Sequence, residues 1–226
     1  MKTEVTLDVV LDVVYVDSAI LVLNKPSGLL AVPGKTSDHC LSLLAQQQYP
    51  DALIVHRLDM ATSGLMLMAR GTEAQRLLNA SFAERRVHKR YVAIASGDCR
   101  ASESHDQDEW QSIELPIVVD WPNRPLRKID PHEGKPSTTL WRCLDYYPAL
   151  DATRLELQPV TGRSHQLRVH LQAIGHPILG DALYAPPAIA AASPRLLLHA
   201  AELGFAHPES GAWLSFQCQD GFGVQA

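Results

Sequence analysis

An α+β domain is what this sequence predicts, and three observations predict it. Short apolar runs bounded by polar residues and glycine, the pattern of buried strands, recur along the chain. They are interspersed with stretches that carry helical start and stop signals, and no internal repeat is visible. At 226 residues and 46% hydrophobic, the chain has enough apolar material to bury a core without staples.

The elements follow in order. Residues 11–16 and 20–23 read as paired strands turning at Asp17-Ser18. Residues 38–48 read as a helix that stops before Pro50. Leu53-Ile54-Val55 and Leu65-Met66-Leu67-Met68-Ala69 read as buried strands, and the polar segment 56–64 lies between them. Thr72 opens a helix reaching about Arg85, with Gln75 three residues on in capping-box position. Residues 87–95 are strand-like, and the alternation in Arg154-Leu155-Glu156-Leu157-Gln158 marks another strand. Residues 164–174 read as a helix closed by Gly175 and Pro177, with Leu167, Leu171 and Ile174 on one buried face. Residues 195–206 and 213–217 supply closing strands. Residues 101–109, polar and acidic, read as a disordered insertion, and nothing resembles a linker to a second folded unit.

Composition narrows the classes. Cys40, Cys99, Cys143 and Cys218 lack CxxC spacing and read as free thiols of a cytosolic protein. No apolar run approaches the ~20 residues a bilayer requires, and the acidic residues Glu4, Asp8 and Asp12 are unlike a signal peptide. A cytoplasmic location without membrane contact is expected. The net charge of −5 argues mildly against nucleic acid, but its distribution matters more. Arg85, Arg86, Lys89 and Arg90 form one basic cluster, Arg124, Arg127 and Lys128 a second, and Arg163 and Arg168 with three histidines a third. His165, His170 and His176 lack the HExxH arrangement, and the first two, five apart, face different sides of a helix. No metal is expected, and without a glycine-rich phosphate loop no nucleotide cofactor either.

The most informative segment is His56-Arg57-Leu58-Asp59-Met60-Ala61-Thr62-Ser63-Gly64. Two core strands pin it, so the Asp59 carboxylate is held rigidly enough for chemistry. The ordinary reading of such a residue is a turn aspartate that satisfies nearby N–H groups. The wording favours the chemical reading, because it resembles the catalytic motif of the RluA family of RNA pseudouridine synthases. Asn24-Lys25-Pro26-Ser27-Gly28-Leu29 resembles that family's first motif, and Lys89-Arg90-Tyr91-Val92-Ala93 its tyrosine segment. Thr161-Gly162-Arg163-Ser164-His165-Gln166-Leu167-Arg168-Val169-His170 resembles the third motif, and Gly175-His176-Pro177-Ile178-Leu179-Gly180-Asp181 and Leu197-Leu198-His199-Ala200 the later signatures.

The resemblance implies a pseudouridine synthase fold: a long mixed, mainly antiparallel sheet with flanking helices and a central cleft. It implies one catalytic domain over residues 1–226, because the Lys25-Pro26 motif lies too near Met1 for a separate RNA-binding domain before it. Asp59 is implied as the catalytic carboxylate, Arg163 as its basic partner, and Tyr91 as the active-site aromatic. Arg57, Leu198, Lys25 and Arg168 are implied to bind substrate, Arg57 by replacing a flipped nucleotide and Leu198 by packing under the uracil. Lys25 beside Pro26 could also suggest a Schiff-base lysine, but its surroundings resemble a structural turn flanking the cleft. The expected activity is isomerisation of uridine in a tRNA anticodon stem-loop, a 23S rRNA hairpin, or both. No cofactor and no obligatory protein partner are expected, and the protein is expected to be a monomer. A base glycosylase, which would release the base, and a non-catalytic RNA-binding protein are the alternatives.

Overall fold

A computed structural model describes residues 10–35, 37–100 and 109–223. The apolar runs become strands. β1 (Val13–Val16) and β2 (Ile20–Lys25) lead through α1 (Leu41–Gln48) to β3 (Ala52–Ile54) and β4 (Ser63–Arg70). Then come α2 (Thr72–Ala83), β5 (His88–Ser96), β6 (Gln111–Glu114), β7 (Ile117–Val119), β8 (Arg127–Ile129), β9 (Thr138–Tyr147) and β10 (Ala152–Pro159). α3 (Gln166–Ala173), α4 (Pro187–Ala191), β11 (Leu198–Ala206) and β12 (Trp213–Gln217) close the chain.

Ten strands form one sheet in the order β1-β2-β4-β11-β5-β10-β9-β6, with β12 on β11 and β3 on β4; β7 and β8 make a separate hairpin. Every pairing is antiparallel except that of β4 with β11, where Ser63 lies opposite His199 and Gly64 opposite Ala200. β2 and β4 are buried on both faces, which explains why their residues are apolar without alternation. The parallel contact lets the two central strands bring the loop before β4 and the start of β11 to one place. Gly64 permits it: its φ is +110°, and a β-carbon there would lie 2.3 Å from the Ala200 carbonyl oxygen.

The structure departs from the sequence reading in particular places. The capping box at Thr72 does not form: Gly71, at φ +81°, precedes the helix without a side-chain cap, and the Gln75 amide instead donates to the Ile54 carbonyl at 2.9 Å. A glycine at positive φ carries the chain into the helix, so no hydroxyl stands at the cap. α3 begins at Gln166 rather than at 164 because His165 takes φ +60°. β11 begins at Leu198, three residues after the expected start. The sequence reading assigns no element between residues 110 and 147, where four strands lie; β9 mixes threonine, arginine and aspartate on a partly exposed surface. Of the expected disordered insertion, residues 101–108 lie outside the described residues.

Candidate active site

The Asp59 loop is clamped through its backbone. Thr62 N–H donates to the Asp59 carbonyl at 3.1 Å, and Gly28 N–H to the Met60 carbonyl at 2.8 Å. Ser27 Oγ donates to the Ala61 carbonyl at 2.7 Å. Lys25 Nζ, wholly buried, donates to three carbonyls: Pro26 and Leu29 at 2.8 Å and Met60 at 3.0 Å. An ammonium has three protons, and three carbonyls use them all. Burial pushes the Lys25 pKa down to about 7; the Asp59 carboxylate opposes the shift and the Arg195 cation adds to it. The expectation that Lys25 binds substrate is thus corrected: it ties the 25–29 turn to the Asp59 loop and presents no surface to a ligand.

The second correction concerns the basic partner. Arg168 Nη1 lies 3.5 Å from Asp59 Oδ2, whereas Arg163 is exposed and makes no ion pair among the described residues. Helix α3 begins at Gln166, so Arg168 sits in its first turn, pointing into the cleft floor, while Arg163 remains on the preceding loop at the rim. Arg168 is held by a bidentate bond to the buried Asp181, Nε to Oδ2 at 2.8 Å and Nη2 to Oδ1 at 2.6 Å. That fork leaves Nη1 for Asp59, a division of labour that suits guanidinium and not a lysine. Asp181 is itself fixed by the N–H groups of Leu183 and Tyr184.

His165 stands on the other side of the carboxylate, with Nε2 3.9 Å from Asp59 Oδ1. Its Nδ1 lies 2.6 Å from the Tyr184 hydroxyl, which accepts Arg127 N–H at 2.9 Å. With the Tyr184 hydroxyl donating its hydrogen bond to Nδ1, the neutral imidazole presents Nε2–H toward Asp59. Burial lowers the His165 pKa, which favours that neutral form, with Asp59 pulling against it. The Arg168 guanidinium lies 5.1 Å from the Tyr184 ring centre, so one tyrosine supports both groups that face Asp59. Sequence reasoning missed Asp181 and Tyr184 as supports; the Gly180-Asp181 signature was the available signal for the first.

The cleft in front of Asp59 holds about 280 Å³, near the lower end for small-ligand sites. Tyr91 and Leu198, both expected, line it with Thr62 and Phe82. β5 supplies Tyr91, opposite Ala200, and β11 supplies Leu198, opposite Ala93, so adjacent antiparallel strands set their spacing. Burial first, and the Asp59 charge second, hold the Tyr91 phenol well above its ordinary pKa, so it stays protonated. His56 accepts Leu67 N–H at Nε2 (2.9 Å) and stacks on Phe82 at 4.7 Å; burial and Lys89 push its pKa down to about 3. Arg57 is exposed at the rim and makes no ion pair among the described residues.

The first basic cluster divides. Lys89 faces the cleft, while Arg90, one residue on, faces the opposite side of β5, pairs with Glu156 at 3.0 Å and packs against Trp110. Arg90 is therefore not part of the basic surface. In the second cluster Arg124 lies over Trp121, and Lys128 is 3.6 Å from Asp130. Among the described residues, no group of histidine, cysteine or carboxylate is placed to hold a metal. His170 is instead wedged between Thr139 and the Leu115 carbonyl, and His176 against the Ser96 carbonyl. No helix of the described residues is long and apolar enough to cross a membrane.

Comparison with known proteins bears on this arrangement. Residues 19–173 match the model of the RNA pseudouridylate synthase family. The chain is 48% identical over 208 residues to the dual-specificity RNA pseudouridine synthase RluA of Vibrio parahaemolyticus, covering 90% of this chain and 80% of that one. It is 45% identical over 212 residues to the protein of the same description from Escherichia coli K12, covering 93% of each. Among solved structures, human RNA pseudouridylate synthase domain containing 1 superposes with a TM-score of 0.75 at 29% identity, covering 93% of this chain and 83% of that one. Human RNA pseudouridylate synthase domain containing 4 does so with 0.71 at 25%, covering 92% and 88%. The long sheet is thus the pseudouridine synthase fold, and the cleft sits where its central strands meet. Matches of this extent place the chain in the RNA pseudouridylate synthase family, in its RluA branch, as an RNA pseudouridine synthase.

Proposed function

We propose that Asp59 is the group on which the isomerisation turns, and that the target uridine lies in a stem-loop of tRNA and of 23S rRNA. One observation carries the first part: among the described residues lining the cleft Asp59 is the sole carboxylate, and every other charged side chain there is a cation or a histidine. The reaction breaks the C1′–N1 bond, turns the base over and joins C1′ to C5; C5 then loses its hydrogen and N1 gains one. An ionised carboxylate is suited to attack or labilise the sugar. Arg168 sets a guanidinium 3.5 Å from one of its oxygens, and His165 faces the other. Tyr91 and Leu198 sandwich the base while it turns, and Arg57 fills the space it leaves in the RNA.

Atoms balance within the substrate, so the reading needs no metal and no cofactor. It also needs no obligatory partner, and a monomeric cytoplasmic catalytic domain suffices. The stem-loop follows from two considerations. Relatives are described as dual-specificity RNA pseudouridine synthases, which supports the reading of two RNA targets. An unpaired loop uridine is also cheaper to extrude than a paired one. Release of tritium from stem-loop RNA labelled at uridine C5 is the test, with a fully paired duplex of the same sequence beside it. Asp59→Asn and Asp59→Ala should abolish release while folding and RNA binding persist. Turnover by either variant would remove Asp59 from the role, and equal modification of loop and duplex would defeat the loop-flipping account.

A further inference from the structure

A second concave surface opens from the cleft at the end of the sheet where β5 and β12 begin and β10 ends. It shares His56, Phe82, Lys89 and Arg163 with the cleft and continues past Arg85 and Arg86 to Trp213. In a chain of net charge −5, the described residues lining it include four Lys or Arg side chains and no carboxylate. Arg86 is engaged by Glu84 at 2.7 Å, but Arg85, Lys89 and Arg163 make no ion pair among the described residues. Such a local concentration of unneutralised cations attracts phosphate.

Trp213 supplies the second chemistry. On β12 its neighbours Leu214 and Phe216 pack into the core, so strand alternation turns the indole outward, where it is 58% exposed. The ring is nonetheless seated. It lies across Gly204, where a β-carbon would come within 2.8 Å of Trp213 Cζ2 and 3.4 Å of the His88 β-carbon. An exposed aromatic seated beside cations that lack an ion-pair partner among the described residues is the combination that binds unpaired nucleic acid, because every base has a face to stack. A duplex presents no such face.

We propose that this groove is a second RNA site, which takes the strand flanking the target uridine, with phosphates on Arg85 and Arg163 and one unpaired base stacked on Trp213. The proposal rests on the target uridine entering the Asp59 cleft, with which the groove is continuous. It gives the enzyme a means of measuring a nucleotide at a set distance from the one it isomerises.

The test pairs protein variants with an RNA scan. Stem-loop RNAs carry an abasic residue at each loop position in turn, and Kd by filter binding is read beside tritium release. With the wild-type enzyme, one position away from the target should raise KM and Kd about five- to a hundredfold. Trp213→Ala should show that loss on intact RNA, leave kcat unchanged, and become indifferent to the abasic residue at that position. Trp213→Phe should restore most of the affinity. Arg85→Ala should lower the slope of log Kd against log salt by about one. Trp213→Ala and Arg85→Ala binding as the wild type does, or an abasic penalty that persists in Trp213→Ala, would overturn the proposal. Should Trp213→Ala fail to fold, the Phe and Arg85 variants decide by the same readouts. Turnover by Asp59→Asn would strike the catalytic assignment alone, since filter binding reads the groove without it.

Discussion

Replacing Arg168 and, separately, Arg163 distinguishes the structure from the sequence expectation. The Arg168 side chain is 4% exposed and faces two carboxylates, Asp181 at 2.6 Å and Asp59 at 3.5 Å. A unit charge pair at about 4 Å is worth roughly 4 kcal/mol at the effective dielectric suited to protein sites, and loss of one partner of a buried pair costs about 3–5 kcal/mol. Arg168→Met should therefore lower stability by about 3 kcal/mol or more, since Asp181 is left buried without its cation. Arg168→Lys restores a charge but not the fork, so it can serve Asp181 or Asp59 and not both. Its kcat should fall at least about a hundredfold, corresponding to roughly 2.7 kcal/mol of transition-state stabilisation. Arg163→Ala, at the rim, should raise KM about three- to tenfold through a lost phosphate contact, with kcat nearly unchanged. Tritium release over a range of RNA concentration separates the two parameters, and thermal melting reports the fold. A collapse of kcat in Arg163→Ala together with near-normal turnover in Arg168→Lys would refute the reasoning and return the partner role to Arg163.

Lys25→Met should lower stability by about 3–5 kcal/mol, since three carbonyls lose their donor; a melting temperature within about 3 °C of the wild type would show that the clamp is dispensable. Gly64→Ala should cost at least about 3 kcal/mol, because the new β-carbon meets the Ala200 carbonyl and the backbone holds φ +110°; a loss under about 1 kcal/mol in urea unfolding would contradict the close strand approach. His56, with its pKa pushed down to about 3, makes stability fall in acid. Between about pH 6.5 and 3 the unfolded chain takes up a proton that the folded one refuses, so stability rises with pH there, by at most about 1.4 kcal/mol per unit. His56→Gln, whose amide oxygen can still accept Leu67 N–H, should flatten that acid limb, and an unchanged limb would remove His56 as its source.

By itself the sequence determined the elements of strong local pattern and the place of the Asp59 loop between them. Apolar runs on either side of residues 56–64 read as strands, which sets Asp59 on a loop between core elements, and β3 and β4 flank it so. Tyr91 and Leu198 were legible through their motifs, and they do line one cleft. Tertiary structure decided which charges meet. Arg163 and Arg168 lie in the same ten-residue motif, and nothing local says which faces Asp59. That follows from a left-handed His165, which delays the start of α3, and from Asp181, thirteen residues beyond Arg168, which aims the guanidinium. The role of Lys25 was hidden because its three partners are backbone carbonyls, which carry no sequence signature. Arg90 was grouped with Lys89 by adjacency, although the two-residue period of a strand sends neighbours to opposite faces. The parallel meeting of β4 with β11, more than a hundred residues apart in the chain, was likewise invisible: pattern reads which face of a strand is buried, whereas strand order is settled only when distant faces pack.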